Sequence, residues 1–167
     1  MFDPKHIVVP VVIEPDGALT RAEQAVAAAC DVAKKFNAQL SILYIAPIVQ
    51  AGDASTIDVT GQVYQIIEET IKTRTDHAQE QLRKLEKIAS GRGILCSGRV
   101  IDSFDDNAQI IIDASHEIGA DLIVVCSSTR HKLVQLFFGT LAEEIAHRSL
   151  MPVLVIQPEY LSQRGSP

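Results

Sequence analysis

Residues 121–157 read DLIVVCSSTRHKLVQLFFGTLAEEIAHRSLMPVLVIQ, in the order strand, basic loop, Gly139-Thr140, helix and strand. Asp121 to Cys126 is a short, almost unbroken apolar run. That is the pattern of a strand covered on both faces in a parallel sheet. Thr140-Leu-Ala-Glu143 forms a capping box and predicts a helix over Thr140 to Arg148. Pro152 to Ile156 supplies the next strand. Strand, helix and strand in succession is the unit from which doubly wound α/β sheets are built.

The same alternation extends toward the N-terminus. Ile7 to Ile13 is a β-branched run and predicts a first strand. Thr20-Arg-Ala-Glu23 reads as a capping box opening a helix to about Phe36, with Ala25, Val26, Ala29, Cys30, Val32 and Ala33 on one face and Asn37 as its end. Gln39 to Ile45 is a second strand. Ala46 to Thr60 holds Pro47, Gly52, Asp53, Ser55 and Asp58 without a period, and is expected as a long surface loop, a docking surface for a partner. Apolar residues from Val63 to Ile88 recur at helical spacing, which predicts a long amphipathic helix stopped by Gly91-Arg-Gly93. Ile94 to Ile101 is a third strand. Asp105 is the expected cap of a helix over Asn107 to Ile118, with Ile110, Ile111, Ala114 and Ile118 inward and Gly119 as its terminator. The result is a single domain over residues 1–157, followed by a polar, loose tail at 158–167.

A chain of 167 residues with 47% hydrophobic content suits one well-buried domain. The net charge of −6 disfavours attraction to nucleic acid or to an anionic membrane surface. No apolar run reaches the length of roughly 18 residues expected of a membrane span. The first residues lack the basic and apolar regions of a secretory signal, so a cytoplasmic location is expected. Cys30, Cys96 and Cys126 form no C-x-x-C pair and read as reduced, small core residues.

The order of elements in residues 121–157 resembles the C-terminal half of the universal stress protein family. There a strand leads into a G-x-x-G-x9-G-[ST] loop around ATP phosphates, then a helix and a "PVLVV" strand. The first two glycines of that loop are matched to Thr129 and Lys132, and only Gly139-Thr140 is kept. The family's first strand commonly ends in "VPVDGS", with the Asp contacting nucleotide; here Val12 takes the place of that Asp, while Pro10 remains. The likeness covers about Lys5 to Gln157. It implies a five-stranded parallel sheet in the order 3-2-1-4-5 with helices on both faces. It also implies a homodimer in which the fifth strand, Val153, Leu154, Val155 and Ile156, pairs with its twin.

A loop that curls round a triphosphate needs inward-facing amides and positive φ angles, which residues with a Cβ seldom adopt. The resemblance therefore points to a member that has lost ATP binding, with no resident cofactor expected and ATP or AMP as the alternative ligand. The vestigial or rearranged crevice comprises Pro10, Val12, Ser127, Thr129, Arg130, Lys132, Gly139 and Thr140. Arg130 and Lys132 would grip phosphate by their side chains where the backbone does not; a solvated basic loop is the simpler account. Thr140 and Glu143 are explained by capping alone.

No catalytic residue is expected. The sequence lacks a G-x-G-x-x-G, a G-x-S-x-G elbow and a P-loop, and no nucleophile has a base beside it. The histidines at 6, 77, 116, 131 and 147 fall in different elements, which excludes a metal site. Three functions compete: a non-enzymatic regulatory homodimer with an unidentified protein partner, a nucleotide-binding sensor with weak ATPase activity, and a partner module for a transporter or kinase.

Overall fold

The computed structural model describes residues 1–12, 19–47, 61–103, 106–126 and 140–157. The elements are β1 (His6–Val12), α1 (Leu19–Phe36), β2 (Gln39–Pro47), α2 (Gly61–Gly91), β3 (Cys96–Ser103), α3 (Asn107–Glu117), β4 (Leu122–Cys126), α4 (Thr140–Arg148) and β5 (Val153–Ile156). They form one five-stranded sheet in the order β3-β2-β1-β4-β5, with every pairing parallel. This is the expected order. Residue 13, most of the 46–60 loop and the 158–167 tail lie outside the described residues. Among those described, no helix is long and apolar enough to cross a membrane.

The period of two along each strand separates two apolar layers. Ile7, Val9 and Val11 of β1, with Leu40, Ile42 and Tyr44 of β2, pack against α1 and α2. Val8 of β1, with Leu43, Ile45, Ile123 and Val125, packs against α3 and α4. α1 meets the sheet through Ala22, Ala25, Val26, Ala29, Cys30 and Ala33, small side chains that let the helix approach closely. α2 buries Ala78, Leu82, Leu85 and Ala89. Asn37 ends α1 with φ 52° and Gly119 follows α3 with φ 68°, so both expected stops are real.

Several boundaries differ from expectation. The cap of α3 is Asp106, not Asp105: its carboxylate accepts the Gln109 N–H at 3.0 Å. Ile112 rather than Ile110 faces the core, together with Ala108, Ile111, Ala114 and Ser115. β3 starts two residues late, at Cys96, because Ile94 is used to plug the core below it. α1 begins at Leu19, one residue before its expected cap.

Gly98 explains how α2 lies so near β3. A Cβ at that position would come within 2.5 Å of Leu82 Cδ1 and 2.8 Å of Leu82 Cγ. Gly98→Ala is expected to cost about 1–3 kcal/mol through overpacking; an unchanged urea midpoint would show that α2 yields freely.

The ends of α3 and α4 are latched together. Arg148 donates to Asp106 at 3.0 Å and 2.9 Å and to Gln109 Oε1 at 2.6 Å. The guanidinium, helped by the Gln109 N–H, holds the Asp106 carboxyl below its ordinary value of 3.8. A depressed folded value means that the latch is intact above the unfolded pKa and is lost as pH falls through the folded one. In an NMR titration, Asp106 should have its midpoint below 3.8, and Arg148→Gln should return it toward 3.8.

Candidate functional site

β1 lies between β2 and β4, and the chain leaves it for α1 on one face of the sheet, whereas it leaves β4 for α4 on the other. Connections that depart in opposite directions from adjacent strand ends leave a crevice between them. On the β1 side the crevice begins at Pro10, which is buried, and Val12, which is half-buried and packs on the α3/α4 core. Cys126, half-buried at the end of β4, stands opposite. α4 runs from Thr140 back toward the start of β5, so its first-turn amides sit at the same end of the molecule. Glu143 in that turn offsets part of the positive end of the helix.

Of the eight crevice residues expected from sequence, the structure places Pro10, Val12 and the backbone of Thr140. Ser127, Thr129, Arg130, Lys132 and Gly139 lie outside the described residues. The match of the loop glycines also needs correction. With nine residues between the second and last glycines of the family's motif, counting back from Gly139 reaches Thr129 and then Cys126, not Lys132 and Thr129. The first glycine position is therefore the last residue of β4, paired with Ile156 in the ladder. Neither position is a glycine here.

Val12 offers no carboxylate, and no group of three or more His, Cys, Asp or Glu residues able to hold a metal occurs among the described residues. Cys30 and Cys96 are free thiols. Burial pushes the thiol of Cys30 up, and burial, with the Glu86 carboxylate and Cys30 adding to it, pushes Cys96 to about 12. Both are therefore poor nucleophiles at neutral pH.

A pairing that linear reading missed lies at the opposite end of the strands. His6 Nε2 and Ser41 Oγ are 2.7 Å apart, and Ser41 Oγ is 3.2 Å from Ser97 Oγ. A hydroxyl does have an imidazole beside it, contrary to expectation. The sequence separation of 35 residues conceals the pair, and only the β1–β2 register reveals it. Ser41 is 6% exposed, so the chain of hydrogen bonds satisfies a buried hydroxyl far from the crevice.

Residues 4–157 match the model of the universal stress protein family. The universal stress protein MJ0531 of Methanocaldococcus jannaschii is 26% identical over 147 residues, which cover 88% of this chain and 81% of the relative. The fold is similar to that of a universal stress protein solved in complex with cAMP, with TM-score 0.60, 18% identity, and coverage of 94% of this chain and 99% of the other. It is similar also to the Archaeoglobus fulgidus universal stress protein in complex with dAMP, with TM-score 0.58, 22% identity, and coverage of 93% and 99%.

Proposed function

The chain belongs to the universal stress protein family, and we propose that within it the protein is a non-enzymatic, cytoplasmic regulator that acts as a homodimer through protein contacts. The observation that carries this reading is Val12. A half-buried aliphatic side chain, packed into the core beneath α3 and α4, stands where nucleotide-binding members of the family carry an Asp. Cys126 and Thr129, at the two glycine positions of the phosphate loop, work in the same direction, because their side chains oppose the backbone curl that a triphosphate requires.

Support for the homodimer comes from β5. Among the described residues it is an edge strand that pairs with β4, and it carries Leu154 at 39% exposure between half-buried Val153 and Val155. An apolar edge of this kind invites a further strand, and a second copy across a two-fold axis supplies one. The free thiols of Cys30 and Cys96 accord with a reducing compartment.

A second reading keeps the crevice as a nucleotide sensor. It is favoured by the two structural relatives solved with cAMP and dAMP, ligands with a single phosphate that need no cradle for β- and γ-phosphoryl groups. The first-turn amides of α4 would then meet that phosphate. A thermal shift decides between the readings, since a ligand at about a hundred times its Kd adds about 2.7 kcal/mol. The regulatory reading expects no shift with Mg-ATP or AMP; a shift with AMP but not with ATP would replace it with the sensor.

A further inference from the structure

On the face of the sheet beneath α3 and α4, the inner strands are apolar through Val8, Leu43, Ile45, Ile123 and Val125. β3 adds half-buried Ile101 toward its carboxyl end. Toward its amino end the same face carries Leu95, which is 75% exposed, and Ser97 and Arg99, both exposed. Arg99 is held at 2.8 Å by Glu117, at the end of α3. This corner of the face is therefore open to solvent.

Ser97 is the outer member of a polar row that runs inward from the corner. It lies beside Ser41 in the β2–β3 register, and the two hydroxyl oxygens are 3.2 Å apart. Ser41 Oγ is in turn 2.7 Å from His6 Nε2. The buried Ser41 hydroxyl needs one partner, and His6 supplies it. Ser97 is surplus to that need, since water would solvate an exposed hydroxyl. What it adds is a connection between an imidazole and the surface.

The backbone of His6 is fixed by Asp121, whose carboxylate accepts from the Lys5 N–H at 2.8 Å and from the His6 N–H at 2.9 Å. The His6 carbonyl accepts the Asp121 N–H at 2.8 Å. With the ring proton on Nδ1, Nε2 accepts the Ser41 proton and Ser41 Oγ accepts the Ser97 proton. Both hydroxyls then point inward and leave lone pairs of Ser97 Oγ toward solvent. That is the arrangement of an activated nucleophile, with one hydroxyl interposed between it and its base.

We propose that Ser97 is a site of covalent self-acylation by an activated ester or thioester, with His6 as the base acting through Ser41. Ser97 Oγ attacks the acyl carbon, its proton moves to Ser41 Oγ, and the Ser41 proton moves to His6 Nε2. The bond from Oγ to the acyl carbon forms as the bond from that carbon to the leaving oxygen or sulfur breaks, and the leaving group departs as an anion. The imidazolium then gives its proton to water. Leu95, two residues before Ser97 on the same face, offers the acyl chain an apolar neighbour. One acyl group is added per chain without turnover, so the modification rests neither on the crevice nor on the homodimer.

The probe is p-nitrophenyl acetate, applied to the intact protein, with peptide mass spectrometry to read where the acetyl group goes. Ser90 is the internal control: it is exposed at the end of α2, and its hydroxyl donates to the Lys87 carbonyl at 3.2 Å. Ser97 should acetylate about tenfold or more faster than Ser90, and Ser97→Ala should remove that acetyl group. His6→Gln keeps a hydrogen-bonding group but no basic nitrogen. It should slow labelling of Ser97 about tenfold or more while the urea midpoint stays near that of the wild type. A purely structural His6 would show the reverse. Ser41→Ala breaks the relay in its middle and serves if His6→Gln does not fold. Equal labelling of Ser97 and Ser90, or undiminished labelling of Ser97 in either folded variant, overturns the proposal.

Discussion

Replacing Ile145 by alanine is expected to lower the unfolding free energy by about 2–5 kcal/mol, the range for truncating a fully buried Ile or Leu. Ile145 is 0% exposed and, with Ala142, is the buried face of a nine-residue helix. A helix of that length does not persist in water on its own propensity. Its attachment is therefore these two side chains, partly buried Leu141 and the Arg148 latch to Asp106. For a chain of this size each kcal/mol moves the melting temperature by about 2–4 °C, so a fall of about 4–20 °C should be measured. The same helix presents the amides at the crevice, so the variant should also lose whatever anion binding the wild type shows. A loss below about 1 kcal/mol would mean that the surrounding side chains collapse into the space, which the close-packed layer does not favour.

Leu154→Asp should have the largest effect on assembly. Val155 is the less informative target, since it is half-buried against the monomer's own core and its substitution would harm folding as well as pairing. Leu154 is 39% exposed and points away from that core. In a two-fold pairing of β5 strands the new carboxylates would lie close to one another and to an apolar edge. A central apolar contact of this kind is worth about 2 kcal/mol or more, so the dimer dissociation constant should rise on the order of thirtyfold or more in sedimentation equilibrium. The melting temperature at high dilution should stay near that of the wild-type monomer. A wild-type chain that sediments as a monomer at all concentrations would remove the homodimer from the proposal.

The elements and the crevice were legible to different depths. Strands β1, β2 and β4 announce themselves as dense apolar runs because both of their faces are covered, and α1 and α4 by caps and helical spacing. The strand order is not contained in that alternation; it came from the likeness of Asp121–Gln157 to a known family. Asp106 rather than Asp105 satisfies the local rule, because it directly precedes Asn107 and has Gln109 three residues on, and Arg148, which arrives from α4, adds a tertiary contact to it. Pro10 is visible in the sequence as part of the "VPV" likeness, but its consequence is not. Only the register shows that its missing N–H faces β4 rather than β2.

Periodicity, caps and turn residues are short-range properties, written within about one helical turn or one strand, and they settled the number and kind of elements together with the absence of a glycine cradle. Contacts between residues far apart in the chain depend on how strands align and how helices lie across them. The His6–Ser41 pair and the tight fit of Gly98 under Leu82 are contacts of that kind. Each is fixed by a register, and a register is chosen by the packing of the whole core rather than by any one segment.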